Sequence, residues 1–278
     1  MTETSITGAS GAMRFDRDPL GEVCLPAARL YGPQTARAIT NFPLSGRTLE
    51  EIPLLLQALA QVKKAAALTN AANAELPTSI VAAIVQACDE IIAGQWHEEF
   101  AVDVYQGGAG TSTNMNMNEV LANRALAILG KPCGLYEIVN PNDHVNKSQS
   151  TNDAYATAVR LTVYKLNGKL VVALRKLAEA MQSKAAEFVD VAKLGRTQLQ
   201  DAVPMTLGQE FGAFATTLLE DVERAEEVAA LFLEVNLGGT AIGTSVGASA
   251  AYGACIVDRL REVTGLEVVR ATNLIEAT

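Results

Sequence analysis

The chain has 278 residues, enough for two domains with a sizeable hydrophobic core. It carries 22 Lys and Arg against 31 Asp and Glu, and this net charge of −9 argues against nucleic acid or an anionic membrane surface as the main partner. Hydrophobic residues make up 49% of the chain and aromatic residues only 5%, a mixture of Ala, Val, Leu and Ile that is typical of packed helices. Four cysteines without a CxxC pair, and two histidines, disfavour a zinc site and a disulfide scaffold.

The first 13 residues are polar and rich in small side chains, which predicts a flexible tail. They contain neither the basic region nor the apolar region of a secretory signal peptide. No stretch reaches the roughly 18 to 20 uninterrupted apolar residues of a membrane span. We therefore expect a cytoplasmic protein that does not bind membranes.

The first half of the chain mixes irregular segments with helical patterns. Residues 14–43 contain four prolines and short apolar runs, which predict strands or loops and no long helix. A capping box at Thr48–Glu51 precedes apolar residues at helical spacing and predicts a helix to about Ala71. Two more helices are predicted over Ile80–Ala93 and Asn118–Leu129.

The second half has longer helical patterns. Apolar residues three or four positions apart predict one helix from Thr151 to Phe188. After a polar connector at 194–204, a second capping box at Thr206–Gln209 begins another helix that is predicted to reach Asn236. Helices of this length usually pack as antiparallel partners in a bundle.

A first polar segment, Gln106–Glu119, combines glycines at 107, 108 and 110 with a run of hydroxyl and amide side chains that leads into a helix. Such a segment favours either an anion site at a helix N-terminus or a helix cap with a flexible turn. A phosphate loop is disfavoured because no Gly-Lys-Ser/Thr ends the segment, and a dinucleotide fingerprint because no strand and G-x-G-x-x-G spacing precede it.

A second polar segment, residues 140–153, has hydrogen-bonding side chains at nearly every position. This density is costly to bury without a ligand. Ser150, Thr151 and Asn152 are predicted in the first turn of the long helix, where their hydroxyl and N–H groups converge. An elaborate N-cap is the alternative interpretation. His144 is predicted to be a hydrogen-bonded structural histidine, because nothing near it has metal-ligand spacing.

A third polar segment, Lys193–Pro204, connects two apolar helices, and its Arg196 can pair with Asp201. The sequences GAGTSTNMNMNEV, NPNDHVNKSQSTNDA and GRTQLQDAVPMTLGQE of the three segments together resemble the aspartase/fumarase superfamily, and most closely its aspartase branch. A later stretch, LGGTAIGT from Leu237, is similar to another part of the family, so the resemblance covers the chain beyond its tail.

The resemblance implies a mainly α fold, with an N-terminal helical domain over residues 14–140 followed by the first long helices of the family's central helical bundle over 141–278. It implies a homotetramer in which each active site takes its motifs from three subunits. It also implies a reversible anti elimination of ammonia from L-aspartate to give fumarate, with no organic cofactor, and we assign no metal-binding residue. The implied partners are thus a small dicarboxylate and further copies of the chain, with no nucleic acid.

The resemblance also assigns substrate-binding residues. Thr111, Ser150 and Thr151 would hold the carboxylate that becomes a dianion when the C3 proton leaves. Asn152 would lie near the amino group, and Thr197 would bind the other carboxylate. Many neutral donors suit this reaction because preorganised donors stabilise the developing charge selectively.

Position 198 bears on the choice between branches of the family. Fumarases carry histidine there, whereas this chain has Gln198, and an amide cannot act as a general acid near neutral pH. Gln198 is therefore expected to position the amine. The first segment also favours the aspartase branch, since DVYQGGAGTS differs from the WQTGSGTQS type expected in fumarases. A class II fumarate hydratase or another lyase of the superfamily is the alternative.

Three departures from the family stand out. Ser245–Gly247 replaces the usual Gly-Leu-Asn, and Ala156 replaces a common proline. The family's general base is a serine in a loop of the form GSSxMPxKxNP, which has no match in the 278 residues, so we assign no catalytic residue. We expect this chain to be truncated before the catalytic serine loop and to be inactive alone. A non-catalytic helical interaction module, or a degenerate fragment, is the remaining hypothesis.

Overall fold

The computed structural model describes residues 12–106 and 108–278. Residues 1–11 of the predicted tail and Gly107 of the first polar segment lie outside this description, and the first strand begins at Met13. The described chain is mainly helical, as predicted. Its α-helices are α1 (Pro33–Asn41), α2 (Pro53–Ala72), α3 (Thr78–Ile92), α4 (Thr111–Ile128), α5 (Thr151–Glu187), α6 (Leu207–Ala229) and α7 (Ala250–Thr264).

The strands of the described residues pair two by two. The first two pairs are antiparallel and the third is parallel. The pairs are β1 (Met13–Asp18) with β2 (Gly21–Pro26), β3 (Ala192–Thr197) with β4 (Gln200–Thr206), and β5 (Glu234–Val235) with β6 (Val269–Arg270). Three 3₁₀ turns and one π-helical turn complete the elements, namely Leu49–Glu51, His97–Glu99, Ala230–Leu233 and Pro141–Val145.

The chain divides into two compact units. The first comprises the described residues up to Leu161 together with Glu234–Thr278, and the second comprises Thr162–Leu233. The predicted domain division at residue 140 stays a prediction. No helix in the described part of the chain combines the length and the apolar character needed to cross a membrane.

Helix α2 lies at the centre of the first unit, where it packs against α3, α4 and α7. Alanine at many of its buried positions allows the neighbouring helices to approach closely, and larger aliphatic side chains fill the remaining space. The fully buried large aliphatic side chains on these helices include Leu56, Leu59, Ile84, Ile91, Leu121 and Leu126.

The region predicted as strands or loops contains both a hairpin and a short helix. The hairpin β1–β2 agrees with the extended runs, and α1 follows as a nine-residue helix. The N-terminus of α1 is satisfied from α4, because Glu119 accepts hydrogen bonds from the backbone N–H groups of Gly32, Gln34 and Thr35 at 2.9, 2.8 and 3.0 Å. A cap that comes from so far along the sequence leaves no local signal.

Several predicted boundaries are corrected by the structure. The capping box at Thr48–Glu51 is confirmed, but it caps a 3₁₀ turn, and α2 begins only at Pro53. Helix α4 begins at Thr111 and not at Asn118, so the first polar segment enters the helix. The connector 194–204 lies in the β3–β4 hairpin, α6 ends at Ala229, and α7 was not predicted.

In the second unit, the predicted antiparallel pairing of two long helices is confirmed. Asn167 Nδ2 of α5 donates to the carbonyl of Ala225 on α6 at 2.8 Å, and Gly208 at the start of α6 packs against Ala185 near the end of α5. One neighbour covers only one face of α5. Three of the apolar residues that predicted this helix, Leu166, Leu170 and Leu177, therefore stay exposed.

Asp103 gives the first unit a pH-dependent contribution to stability. Its Oδ2 accepts hydrogen bonds from the N–H groups of Leu44, Ser45 and Gly46, and its Oδ1 accepts from Ser45 Oγ and Tyr105 N. Burial opposes ionisation, but the hydrogen bonds from Tyr105, Ser45 and Gly46 outweigh it and lower the pKa of Asp103 to about 2.

Asp103→Asn is therefore expected to flatten the acid limb of the stability profile. Because the folded pKa lies below the unfolded value, the stabilisation is present above about pH 4 and is lost as the pH falls towards 2. Urea unfolding between pH 5 and pH 2 measures this. Asp201→Asn, at an exposed carboxylate, is the matched control, and an equal acid limb in Asp103→Asn and the unsubstituted chain would contradict the expectation.

Candidate functional site

The first polar segment forms the start of α4. Gln106 caps this helix, because its Oε1 accepts from Ser112 N at 3.0 Å while its Nε2 donates to Thr113 Oγ1 at 2.8 Å. The exposed Thr111 hydroxyl donates to the carbonyl of Gly108 at 2.7 Å. The cap interpretation thus accounts for Gln106. The Thr111 hydroxyl uses its proton in the bond to Gly108, while its oxygen is exposed at the surface.

The second polar segment contains a π-helical turn and the start of α5. Asn140 caps the turn, since its Oδ1 accepts from Asn142 N and Asp143 N. His144 Nδ1 accepts from the backbone N–H of Asn140 at 2.8 Å, and burial lowers the pKa of the imidazole. His144 is therefore a hydrogen-bonded structural histidine, as predicted.

The predicted residues Ser150, Thr151 and Asn152 do lie together at the start of α5. Ser150 Oγ accepts from Asn152 N at 3.2 Å, and Thr151 Oγ1 accepts from Asn114 Nδ2 at 3.1 Å. Among the described residues, neither hydroxyl has an acceptor for its own proton. Asn152 Nδ2 donates to the carbonyl of Ala241 at 2.6 Å, so its Oδ1 remains available as an acceptor.

Asp153 holds this first turn in place. Its Oδ1 accepts from Ser150 N at 2.8 Å, and its Oδ2 accepts from Gly238 N and Thr240 N at 3.1 and 2.9 Å. Burial raises the pKa of the Asp153 carboxyl, while these hydrogen bonds oppose the shift. These three hydrogen bonds, called the Asp153 clamp below, join the stretch that begins at Leu237 to the start of α5. The second polar segment and the stretch from Leu237, which both resemble the family, therefore lie in contact.

Two contacts bring the start of α4 to the start of α5. Asn114, 1% exposed on α4, donates through Nδ2 both to Thr151 Oγ1 and, at 3.2 Å, to Asn146 Oδ1. Gly110, whose φ of +87° suits glycine, lies against the ring of Tyr155 so closely that a Cβ atom there would overlap it. Thr111 is thereby placed near Ser150 and Thr151.

A buried lysine side chain lies beneath these hydroxyl groups. Lys63 of α2 is fully buried, and its Nζ donates to Asn146 Oδ1 at 2.7 Å. Burial lowers the pKa of Lys63 to about 7, and the charge of Asp153 opposes that shift. The neighbouring Cys88 thiol has its pKa raised by burial, which keeps it neutral.

The third polar segment forms the β3–β4 hairpin of the second unit. Thr197 is the last residue of β3, and Gln198 and Leu199 form the two-residue loop, both with positive φ. This pair of left-handed residues is what a type I′ turn requires. Thr197 and Gln198 are both exposed, and the ion pair of Arg196 with Asp201 at 3.4 Å is also exposed.

The structure thus gathers Thr111, Ser150, Thr151 and Asn152 in the first unit, and places Thr197 and Gln198 in the hairpin of the second. The residues that support this cluster were not predicted from the sequence. They are Lys63, Asn114, Asn146, Asp153 and Tyr155, whose ring lies against Gly110. A signal existed for Lys63, a charged residue at helical spacing from the apolar Leu59 and Ala66. The described residues contain no group of three or more His, Cys, Asp or Glu side chains placed to hold a metal ion.

The chain is similar to known lyases. The model of a family described as lyase matches residues 21–278. Aspartate ammonia-lyase of Escherichia coli K12 is 52% identical over 270 residues, covering 97% of this chain and 56% of the relative. Aspartate ammonia-lyase of Pseudomonas fluorescens is 51% identical over 275 residues, covering 99% of this chain and 58% of the relative.

Solved structures agree with the fold. The crystal structure of fumarate lyase:delta crystallin from Brucella melitensis bound to cobalt matches with a TM-score of 0.91 and 56% identity, over 96% of this chain and 58% of that one. The class II fumarase of Schistosoma mansoni matches with a TM-score of 0.85 and 34% identity, over 96% and 59% of the two chains.

The chain spans just over half the length of the curated relatives it matches. Within that span, the family model covers the chain from Gly21 onward. The chain therefore belongs to the lyase family, as a member of the aspartase/fumarase superfamily.

Proposed function

We propose that this chain is part of an aspartate ammonia-lyase, in which L-aspartate is deaminated reversibly to fumarate and ammonia. The main support is the pair of hydroxyl groups at the start of α5. Ser150 Oγ and Thr151 Oγ1 each accept a hydrogen bond from the protein, which directs their protons outward. Two fixed donors at a helix N-terminus suit a carboxylate whose negative charge grows during the reaction.

In the proposed mechanism, a base removes a proton from C3 and the neighbouring carboxylate becomes an enediolate-like dianion. Ser150 and Thr151 donate to this dianion, and Thr111 joins them once its hydroxyl turns away from Gly108. Asn152 offers Oδ1 to the ammonium group because its Nδ2 is held by Ala241. Ammonia then leaves from C2, which completes the elimination.

Thr197 and Gln198 complete the proposed site from the hairpin of the second unit. Thr197 binds the second carboxylate, and Gln198 positions the amine. The family arrangement, in which three subunits supply one site, means that these residues act on a substrate held by other copies of the chain. No residue of this chain is assigned as the general base.

Assembly and compartment form part of the same proposal. We propose a homotetramer built on a central bundle, with the N-terminal domain at 14–140 and the bundle portion at 141–278. The exposed apolar residues Leu166, Leu170 and Leu177 on α5 support a self-association surface. All four cysteines are unpaired, which supports a reducing, cytoplasmic environment.

A chimera tests the activity. When residues 1–278 replace the matched portion of the Escherichia coli aspartate ammonia-lyase, the assembled protein is expected to produce fumarate from L-aspartate, followed by ultraviolet absorbance. Turnover of L-malate without turnover of L-aspartate would instead identify a fumarate hydratase. An assembled tetramer that acts on neither substrate would favour a non-catalytic helical module.

The purified 278-residue chain alone is expected to release no ammonia from L-aspartate. Removal of a proton from carbon needs a positioned base, and none of the assigned residues supplies one. An enzyme-coupled ammonia assay measures this, with the active chimera as the positive control. Ammonia release above the rate of a boiled sample would contradict the assignment of no catalytic base.

A further inference from the structure

Lys63 has no part in the mechanism above, yet its position is costly. A buried ammonium group loses its hydration and is retained only where partners compensate for it. Lys63 is fully buried on α2, and among the described residues its ammonium group has one hydrogen bond, to Asn146 Oδ1 at 2.7 Å. An apolar side chain of similar length would fill the same space at lower cost.

What distinguishes protonated lysine from such a side chain is that an ammonium group donates hydrogen bonds and cannot accept them. It therefore requires Asn146 to present its oxygen to Nζ. The other end of that amide, Nδ2, then donates to the carbonyl of Gln149 at 3.3 Å. Two neighbours thus set the orientation of the Asn146 amide: the Lys63 ammonium group, which cannot accept, and the Gln149 carbonyl, which cannot donate.

The orientation of Asn146 in turn determines the orientation of the Asn114 amide. Because Asn146 Oδ1 is an acceptor, Asn114 presents Nδ2 to it at 3.2 Å, and the same Nδ2 donates to Thr151 Oγ1 at 3.1 Å. Asn114 Oδ1 is buried and has no partner among the described residues. This unpaired oxygen indicates that the orientation of Asn114 is imposed by its neighbours.

The contact between Asn114 and Thr151 determines the direction of the Thr151 hydroxyl proton. With Asn114 donating, Thr151 Oγ1 is an acceptor, and its proton is left for a ligand. With both amides reversed, Asn114 Oδ1 would accept the Thr151 proton and withdraw it from the surface. We propose, on the basis of the function proposed above, that Lys63 is a positioning residue that fixes the hydrogen-bond direction through Asn146 and Asn114, so that Thr151 donates to the substrate carboxylate.

A double-substitution cycle in the full-length chimera tests this role. Lys63→Met removes the donor at nearly constant volume, and Thr151→Val removes the hydroxyl that Lys63 is held to direct. Lys63→Met is expected to lower kcat/KM for L-aspartate about tenfold or more when Thr151 is present, since one directed donor is worth up to about 10² to 10³ in rate. In the Thr151→Val background, Lys63→Met is expected to change kcat/KM less than about twofold.

Lys64→Met is the matched control, because the adjacent lysine instead pairs with Asp89 at 2.6 Å. It is expected to leave kcat/KM unchanged. A purely structural Lys63 would lower kcat/KM by the same factor in both Thr151 backgrounds, and that result would overturn the proposal. So would an assembled Lys63→Met protein with unchanged kcat/KM.

If Lys63→Met does not assemble, Asn146→Leu removes the amide that joins Lys63 to Asn114. It is expected to show the same dependence on Thr151, and equal losses in both backgrounds would again overturn the proposal. An unsubstituted chimera that produces no fumarate contradicts the proposed function and this role together. An active chimera with independent Lys63 and Thr151 effects contradicts the positioning role alone.

Discussion

Ser150→Ala is expected to lower kcat/KM for L-aspartate about 100-fold in the chimera, equivalent to about 3 kcal/mol of transition-state stabilisation. Ser150 Oγ is already oriented by the N–H group of Asn152, so its proton is aimed before substrate arrives. The substitution removes a donor that is most valuable when the carboxylate gains charge, and the loss is therefore expected mainly in kcat. Steady-state kinetics with L-aspartate measures both parameters.

The same substitution also removes a helix cap, which costs stability of about 1 kcal/mol. Thermal unfolding separates this loss from the kinetic loss. Ser79→Ala is the matched control, since Ser79 is an exposed serine in the first turn of α3. An unchanged kcat/KM in folded Ser150→Ala would remove Ser150 from the site.

Gly110→Ala is expected to destabilise the chain by about 2 to 5 kcal/mol through two separate costs. The φ of +87° is left-handed, which costs an L-residue about 1 to 2 kcal/mol. The new Cβ would also overlap the ring of Tyr155, and overpacking of this kind costs about 1 to 3 kcal/mol. Urea unfolding of the 278-residue chain measures the sum.

The chain offers controls for each cost. Gly130 has a φ of +69° with open space around its Cβ position, so Gly130→Ala reports the conformational cost alone. Tyr155→Ala removes the ring, and the Gly110→Ala cost is expected to fall to that of Gly130→Ala in this background. If Gly110→Ala lowers the free energy of unfolding equally with and without the Tyr155 ring, the close approach of Gly110 to the ring does not contribute to the loss of stability.

The helices that sequence reasoning located best are those with strong periodicity and local caps. The second capping box, Thr206 with Gln209, starts α6 where predicted, because both partners lie within one turn. By contrast, α1 depends on Glu119, which is supplied by α4 more than 80 residues later. The early start of α4 depends on Gln106, whose side chain caps the helix from the preceding loop.

The same distinction applies to the candidate site. Ser150, Thr151 and Asn152 could be proposed from sequence because they are adjacent and dense in polar groups. Asn114 could not, because its importance comes from a contact with a separate helix. For Lys63 the sequence offers only a charged residue at the spacing of core positions, and not its contact with Asn146. Alternation of asparagine and methionine in the first segment predicts polarity, but not which amide contacts Thr151.

The clamp formed by Asp153 has a consequence for synthesis of the chain. Its partners Gly238 and Thr240 follow 85 and 87 residues later, and α7, which packs on α2, follows later still. At about 5 to 20 residues per second, the ribosome needs roughly 4 to 17 seconds to supply the clamp. During that interval the nascent chain exposes the apolar surface of α2 that α7 will cover, which makes this surface the expected site of chaperone binding.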